Sequence, residues 1–494
     1  MNASGATREC DVVVVGGGIA GLSAAVSGAE AGASVVLLER STEAETGGNT
    51  RYTEAYLRMK TIDEPADGLA EALVDDFAGH PDPSITADAG IEYARRSALL
   101  RAHHVVDLDY VETLVAQAGP TLRWLTGHGV SFAPLPTLFP TVSTTRLAPV
   151  GGGLALVEAL GKRARDLGVE FVFETTGRSL VVDGSGAVAG VRTHGEAGSG
   201  AVSAKAVVLA SGGFQGSNEM MARYHGPRAL TCRPVARGGN YNKGEGIEMA
   251  LAVGAATAGN FALFHAEPVD PRSGEPEAAV MALSYGILVN AEGRRFVDEA
   301  RGPVDAWYER ITRDIQDQTR GVAWLLLDAT SRLVPNLRTG IRTSERPVTA
   351  GSVTELADRL GIDAGALAET VAAYNGACDA DGAWDPSTPD GLATTGLLPP
   401  KSNWAKPIAE PPFEAYPVMA ANVFTFGGLK VDASSRVVDR DGRALPGLFA
   451  AGEMTGLYYS NYTGSTSVLR GAVFGRIAGT NAAALAGRSE RATA

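Results

Sequence analysis

Gly16-Gly17-Gly18-Ile19-Ala20-Gly21 supplies a GxGxxG run near the start of the chain. Only glycine allows the tight turn and close backbone approach that seat a pyrophosphate on the amides of a helix N-terminus. Glu39 follows 18 residues past Gly21, where a carboxylate can accept hydrogen bonds from adenosine ribose hydroxyls, and Arg40 is next to it. The chemistry on offer is dinucleotide binding, and this pattern alone does not separate FAD from NAD. Later segments bear on that choice. Gly47-Gly48-Asn49-Thr50 offers small residues whose backbone can lie against a flavin. Ser211-Gly212-Gly213 closes an apolar run, and Gly452-Glu453 puts a carboxylate where ribityl hydroxyls would lie. Gly464-Ser465-Thr466-Ser467, followed by Val468, opens a helix whose positive end favours negative charge on a reduced flavin ring.

These residues need a scaffold, and the apolar patterning predicts one. Residues 10–15 and 34–39 read as buried strands, with a helix over 19–31 closed by Gly32. That order is a βαβ unit with a parallel sheet. A helix over 152–167, a strand over 169–173, a hairpin over 179–192 and a buried strand over 206–210 follow. Past roughly residue 225, Pro, Arg and aromatic residues become interspersed, and 381–412 reads as a long surface connection. Strand-like 429–432 and 447–451 and a helix over 467–485 return to the opening style. The expected fold class is α/β: a Rossmann-like nucleotide domain (1–225 and 413–494) interrupted by an α+β substrate-capping domain (226–412).

The 494-residue chain is 45% hydrophobic, enough for large cores, and its 61 glycines show no collagen-like period. A formal net charge of −13 argues against nucleic-acid binding. Cys10, Cys232 and Cys378 form no CxxC, so a disulfide framework, a metal ribbon or attached haem lacks support, and no metal is expected. No leader or membrane span is visible, so a cytoplasmic location is expected. GxSxG, HExxH and P-loop signatures are absent, and there is no second GxGxxG for a pyridine nucleotide.

VVVVGGGIAG (12–21), GGNTRYT (47–53), VVLASGGF (207–214), GILVNAEGRRFVDE (286–299), FGGLKVD (426–432), LPGLFAAGEM (445–454) and NYTGSTSVLRGAVFGRIAG (461–479) occur in that order. Taken together, the whole chain resembles the flavoprotein family of fumarate reductases, succinate dehydrogenases and 3-ketosteroid dehydrogenases, and most of all the FAD-dependent tricarballylate dehydrogenases. The resemblance implies FAD in a glutathione-reductase-like domain, with a cap over the isoalloxazine and substrate between them. It adds Gly177 to the cofactor contacts, and Glu245 in place of an aspartate. Some relatives attach FAD through a histidine before the double glycine; residues 41–46 hold none, which implies noncovalent FAD.

Flavin taking hydride from a CH–CH bond requires a base for the neighbouring proton and donors for an activating oxygen. The family places its acid/base after the segment that reads Arg295-Phe296-Val297-Asp298-Glu299, and the candidates here are Arg301 and Tyr308. Phe424 lies in the stretch where fumarate reductases carry a carboxylate-binding histidine, and Asn461-Tyr462 replaces their Asn-Arg pair. A phenol cannot supply guanidinium's bidentate charge, so plain fumarate or succinate is not expected as substrate. Tyr462 is then the donor to the substrate carbonyl, with backbone amides at Gly464 or Ser465; Arg146 is a candidate carboxylate clamp and His265 a further contact. The resulting expectation is an FAD-dependent desaturase acting beside a carboxylate or ketone, its electron acceptor unidentified. Two alternatives stand: a soluble reductase of activated C=C bonds, or a subunit that binds FAD structurally.

Overall fold

The computed structural model describes residues 7–77, 82–135, 146–196, 198–379 and 381–493. The N-terminal stretch read for a leader falls largely outside them. Two sheets organise the chain. The first has eight strands, in the order Arg436–Val438, Ala444–Ala450, Gly198–Leu209, Thr7–Val15, Val35–Leu38 and Glu170–Val172, with the hairpin Thr175–Val182/Val188–Gly195 attached to Gly198–Leu209. Its centre is parallel: Val12 to Val15 pair with Val35 to Leu38 on one side and with Ala206 to Leu209 on the other. Continuous Val and Leu runs form these strands because helices cover the sheet and bury its middle strands. The strand Val35–Leu38 is buried at every position.

The helices Ile19–Glu30 and Ser467–Thr493 lie against each other beside this sheet. Their close approach explains part of the glycine content. A Cβ at Gly475 would overlap the Ala20 carbonyl, and one at Gly479 would overlap that of Ala24.

The second sheet has six strands, in the order Phe264–Val269, Phe413–Thr425, Val322–Leu327 and Ile287–Val289, with Arg233–Pro234 and Val348–Ala350 also on Phe413–Thr425. The helix Val304–Gln316 packs on Phe264–Val269 and so brings a helix face to the cleft. The chain crosses between the two bodies more than once. Phe413–Thr425, which opens the segment expected as 413–494, hydrogen-bonds in the second sheet. Glu245–Ala252, from the segment expected as 226–412, packs on the hairpin of the first. Residues that cross between two cores carry no distinctive composition, because each half of the crossing is as apolar as the core it enters.

The stretch 381–412 is not a plain surface connection. Lys401 is fully buried, its Nζ donating to the carbonyls of Ser284 at 2.8 Å and Gly286 at 2.6 Å. Trp404 and Ala405 are buried with it. Pro, Asp and Ser make it irregular, yet its side chains pin it to the cap. No helix among the described residues is long and apolar enough to cross a membrane.

Candidate active site

The turn after Thr7–Val15 runs straight into the helix Ile19–Glu30, whose N-terminus at Gly18 has no side-chain cap. Gly16 takes φ +107°, and a Cβ there would strike the carbonyl of Ala210. The amide of Gly17 donates to Glu39 Oε2 at 2.7 Å, and that of Ser41 to Glu39 Oε1 at 2.8 Å, which fixes the carboxylate at the rim. The amide of Ile19 donates to Thr50 Oγ1 at 3.1 Å, tying 47–50 to the helix start.

These pieces enclose a groove of about 1230 Å³. Gly16, Gly18, Ile19, Ala20, Glu39, Arg40, Gly47, Gly48, Asn49, Thr50, Gly177, Ser211, Gly212, Glu245, Gly452, Glu453, Ser467 and Val468 all line it. Gly21 and Gly213 do not. A Cβ at Gly21 would overlap the Gly16 carbonyl and one at Gly213 would overlap Glu453, so these glycines let the walls pack closely. Arg40 Nη2 meets Glu245 Oε1 at 2.6 Å across the groove. Glu453 accepts from the amide of Thr425 at 3.0 Å and from Asn242 Nδ2 at 3.1 Å, and burial raises its carboxyl to about 7.

An uncapped helix start, a glycine cradle and a buried Asn49 Oδ1 with no partner fit an elongated phosphate-bearing ligand with polar ends. Sequence reading missed Asn242 and Arg470, which also line the groove. Arg470 is 1% exposed and donates to the Thr455 carbonyl. It lies three residues past Ser467, one helical turn, and that spacing was its signal.

A second cavity of about 1710 Å³ adjoins the groove and shares Thr53, Val423, Phe424, Ser467 and Val468 with it. Arg146, His265, Tyr308, Phe424, Tyr462, Gly464 and Ser465, the residues expected at the substrate, line this cleft. Asp305, Tyr308 and Glu309 reach it together because positions three and four apart share one face of Val304–Gln316. Arg301 does not reach it. It precedes the helix, is exposed, and places its guanidinium 5.5 Å from the Trp307 ring centroid, on another side of the helix. Of the two acid/base candidates, only Tyr308 is in the cleft.

Tyr308 Oη lies 3.2 Å from His265 Nε2, and His265 Nδ1 lies 2.7 Å from Glu309 Oε2. Burial and the charges of Glu267 and Glu309 push the Tyr308 phenol well above its usual range. Burial pulls the His265 imidazole down, but Glu267 and Glu309 outweigh it and lift it to about 9. The Tyr462 ring is 4.4 Å from that of His265 and 4.9 Å from that of Phe424. Tyr462 Oη accepts from the amides of Thr466 at 3.0 Å and Ser467 at 3.2 Å, where the long helix begins. The helix start thus acts through the phenol, whose own O–H is left for Ser467 Oγ at 3.1 Å or for a ligand.

Asp76 holds this loop. It is buried and accepts from the amides of Tyr459, Ser460 (3.1 Å) and Asn461 and from Ser460 Oγ (2.9 Å). Arg146 Nη2 reaches Asp305 Oδ2 at 3.3 Å, leaving its buried Nε without a partner. Glu54, Glu267, Glu277 and Arg342 also line the cleft. Burial, with Glu267 and Glu54 nearby, raises the Glu277 carboxyl to about 8. These residues sit outside any motif. Only the alternation of His265 and Glu267 on one strand face hinted at them.

A family model described as "FAD binding domain" matches residues 11–469. The chain belongs to this family of FAD-binding flavoproteins. It is 30% identical over 509 aligned positions to urocanate reductase of Eggerthella lenta, covering 98% of this chain and 76% of that one. A 3-ketosteroid-Δ4-(5α)-dehydrogenase from Rhodococcus jostii superposes with a TM-score of 0.66 at 27% identity, over 96% of this chain and 97% of that one. The open conformation of a flavocytochrome c3 fumarate reductase has the same fold, with a TM-score of 0.75 at 24% identity over 97% and 79% of the two chains. FAD is therefore the cofactor of the groove, and the chain is an FAD-dependent oxidoreductase of the type that acts on C=C or CH–CH bonds.

Proposed function

We propose that the chain reduces a C=C bond conjugated to a carboxylate or ketone. The observation that carries this is the meeting of Tyr308, Tyr462 and Arg146 in one cleft that opens onto the FAD groove at Phe424, Ser467 and Val468. Bound FAD supplies hydride chemistry, held noncovalently by the groove. Tyr462 donates to the activating oxygen, and Arg146 holds a carboxylate with charge-assisted hydrogen bonds. As charge develops on that oxygen, donors already in place stabilise it without reorganising. Tyr308, kept protonated by its surroundings, gives the proton to the carbon next to the activating group. A phenol beside His265 suits the donor role in reduction, and desaturation, read first from sequence, runs the same proton step in reverse. The reducing equivalents come from a partner or reductant of unidentified class.

Desaturation is the second reading. It is favoured by the Asn461-Tyr462 pair and by the similarity to a ketosteroid dehydrogenase along nearly the whole of both chains. The test is anaerobic. FAD-loaded protein reduced with dithionite is mixed with α,β-unsaturated carboxylates and ketones, and return of oxidised flavin absorbance is followed. Rapid return supports reduction. Bleaching of oxidised flavin by the saturated partners, with no return from the alkenes, reverses the direction. A flavin that responds to neither would leave FAD in a structural role.

A further inference from the structure

We infer that His265 and Glu309 form a proton reservoir behind Tyr308, refilling the phenol within each turnover. The inference rests on Tyr308 as the proton donor of the proposed reaction. His265 is 3% exposed, and both its ring nitrogens are engaged: Nε2 with Tyr308 Oη at 3.2 Å, and Nδ1 with Glu309 Oε2 at 2.7 Å. Glu309 is itself buried and is held from its far side by Arg313, one helical turn on, whose Nη2 also donates to the Phe264 carbonyl at 3.3 Å. Glu309 is thus pinned as an anion on one side and faces an imidazole on the other.

Two carboxylates face His265, Glu309 from the helix and Glu267 from its own strand, the latter at 3.7 Å from Nε2. Tyr308 and Tyr462 are the other titratable groups against the ring, and Phe424 closes it off without charge. A cation is the form that satisfies this surround. Imidazolium donates from Nδ1 to Glu309 and from Nε2 to the Tyr308 oxygen. The Tyr308 O–H is then turned away from His265 and free for the substrate.

The steps balance. The substrate carbon gains a C–H bond as the Tyr308 O–H bond breaks. The Nε2–H proton moves to the phenolate oxygen, leaving neutral imidazole with its remaining proton toward Glu309. Water returns a proton to His265 once product has left. The hydride comes from reduced flavin. Glu309 acts through His265, which it holds at 2.7 Å, and is a positioning residue. Its effect is to hold His265 charged at neutral pH, so the site rests loaded with a proton to give.

The test begins without a substrate. The FAD-loaded protein carries seven histidines, and isotope-labelled imidazole signals are titrated by NMR, with that of His265 assigned by its loss in His265→Asn. His265 is expected to stay protonated to about 9, well above the ordinary histidine value of about 6.5. Glu309→Gln should lower it by two or more pH units, and Glu309→Asp should restore most of the shift. In single turnover with an activated alkene, Glu309→Gln should slow flavin reoxidation roughly tenfold at pH 8. The alkaline limb of its pH profile should move down by the same interval. A His265 that titrates in the ordinary range in the unaltered protein overturns the inference. So does a pH profile unmoved in a Glu309→Gln protein that still binds FAD. If no alkene reoxidises the flavin while His265 titrates as expected, the charged pair stands and the reductive reading fails.

Discussion

The FAD groove and the adjoining cleft share a wall but are built on different terms. The groove is mostly backbone and small residues drawn from short, consecutive stretches: 16–20, 39–40, 47–50, 211–212 and 452–453. The cleft is mostly side chains from separate elements, with Arg146, His265, Tyr308 and Tyr462 on four different segments. A phosphate or ring that recognises backbone amides constrains the local chain, so it leaves a local signature. A substrate recognised by side chains constrains only where they end up.

The largest expected effect breaks the groove. Gly21→Val forces a branched side chain into the Gly16 carbonyl, where neither backbone segment can yield. The cost exceeds the about 1–3 kcal/mol of ordinary overpacking. Purified protein should lose nearly all flavin absorbance per chain and melt earlier.

Tyr308→Phe breaks the cleft and spares the groove. FAD content should be unchanged while the rate of flavin reoxidation by an activated alkene falls about 10²–10⁴-fold. Arg146→Ala should act on one substrate class. For carboxylates it removes a charge-assisted contact of about 1.5–3 kcal/mol, and the dissociation constant should rise about 10- to 100-fold. For uncharged ketones it should change little, and equal losses on both would remove Arg146 from the clamp. Asp76→Asn should be milder. The loop that aims Tyr462 loses one acceptor oxygen to an amide nitrogen that cannot accept from the backbone N–H groups, costing about 1–3 kcal/mol of stability. Its melting temperature should drop, with a few-fold loss in turnover. Arg301→Ala should do least: its ring contact is exposed and away from both cavities, so turnover should stay within about twofold and stability within about 0.5 kcal/mol.

How much of the site was legible follows the same division. The helix start at Gly18, the rim carboxylate of Glu39 and the wall at 47–50 all line the groove where sequence reading placed them. Gly21 and Gly213 were legible as required glycines but not in role, since spacing does not say whether the atom a Cβ would meet is ligand or protein. His265 read as a minor contact because its partner Glu309 is 44 residues away on another element. Arg301 and Tyr308 were equivalent in sequence, both trailing the 295–299 segment. The start of the helix at Val304 separated them by deciding which face turned inward.

The sequence by itself determined the FAD half of this protein: the βαβ opening, the glycine turn, and the acid and small-residue walls that a dinucleotide demands within a few residues of one another. Tertiary structure alone decided the arrangement behind the proposed proton chemistry. The proton sharing proposed for Tyr308, His265 and Glu309 arises only when Val304–Gln316 docks on Phe264–Val269 and buries them, because the strength of a charge's grip on its neighbour depends on distance and dielectric. Neither quantity exists along the chain until it folds.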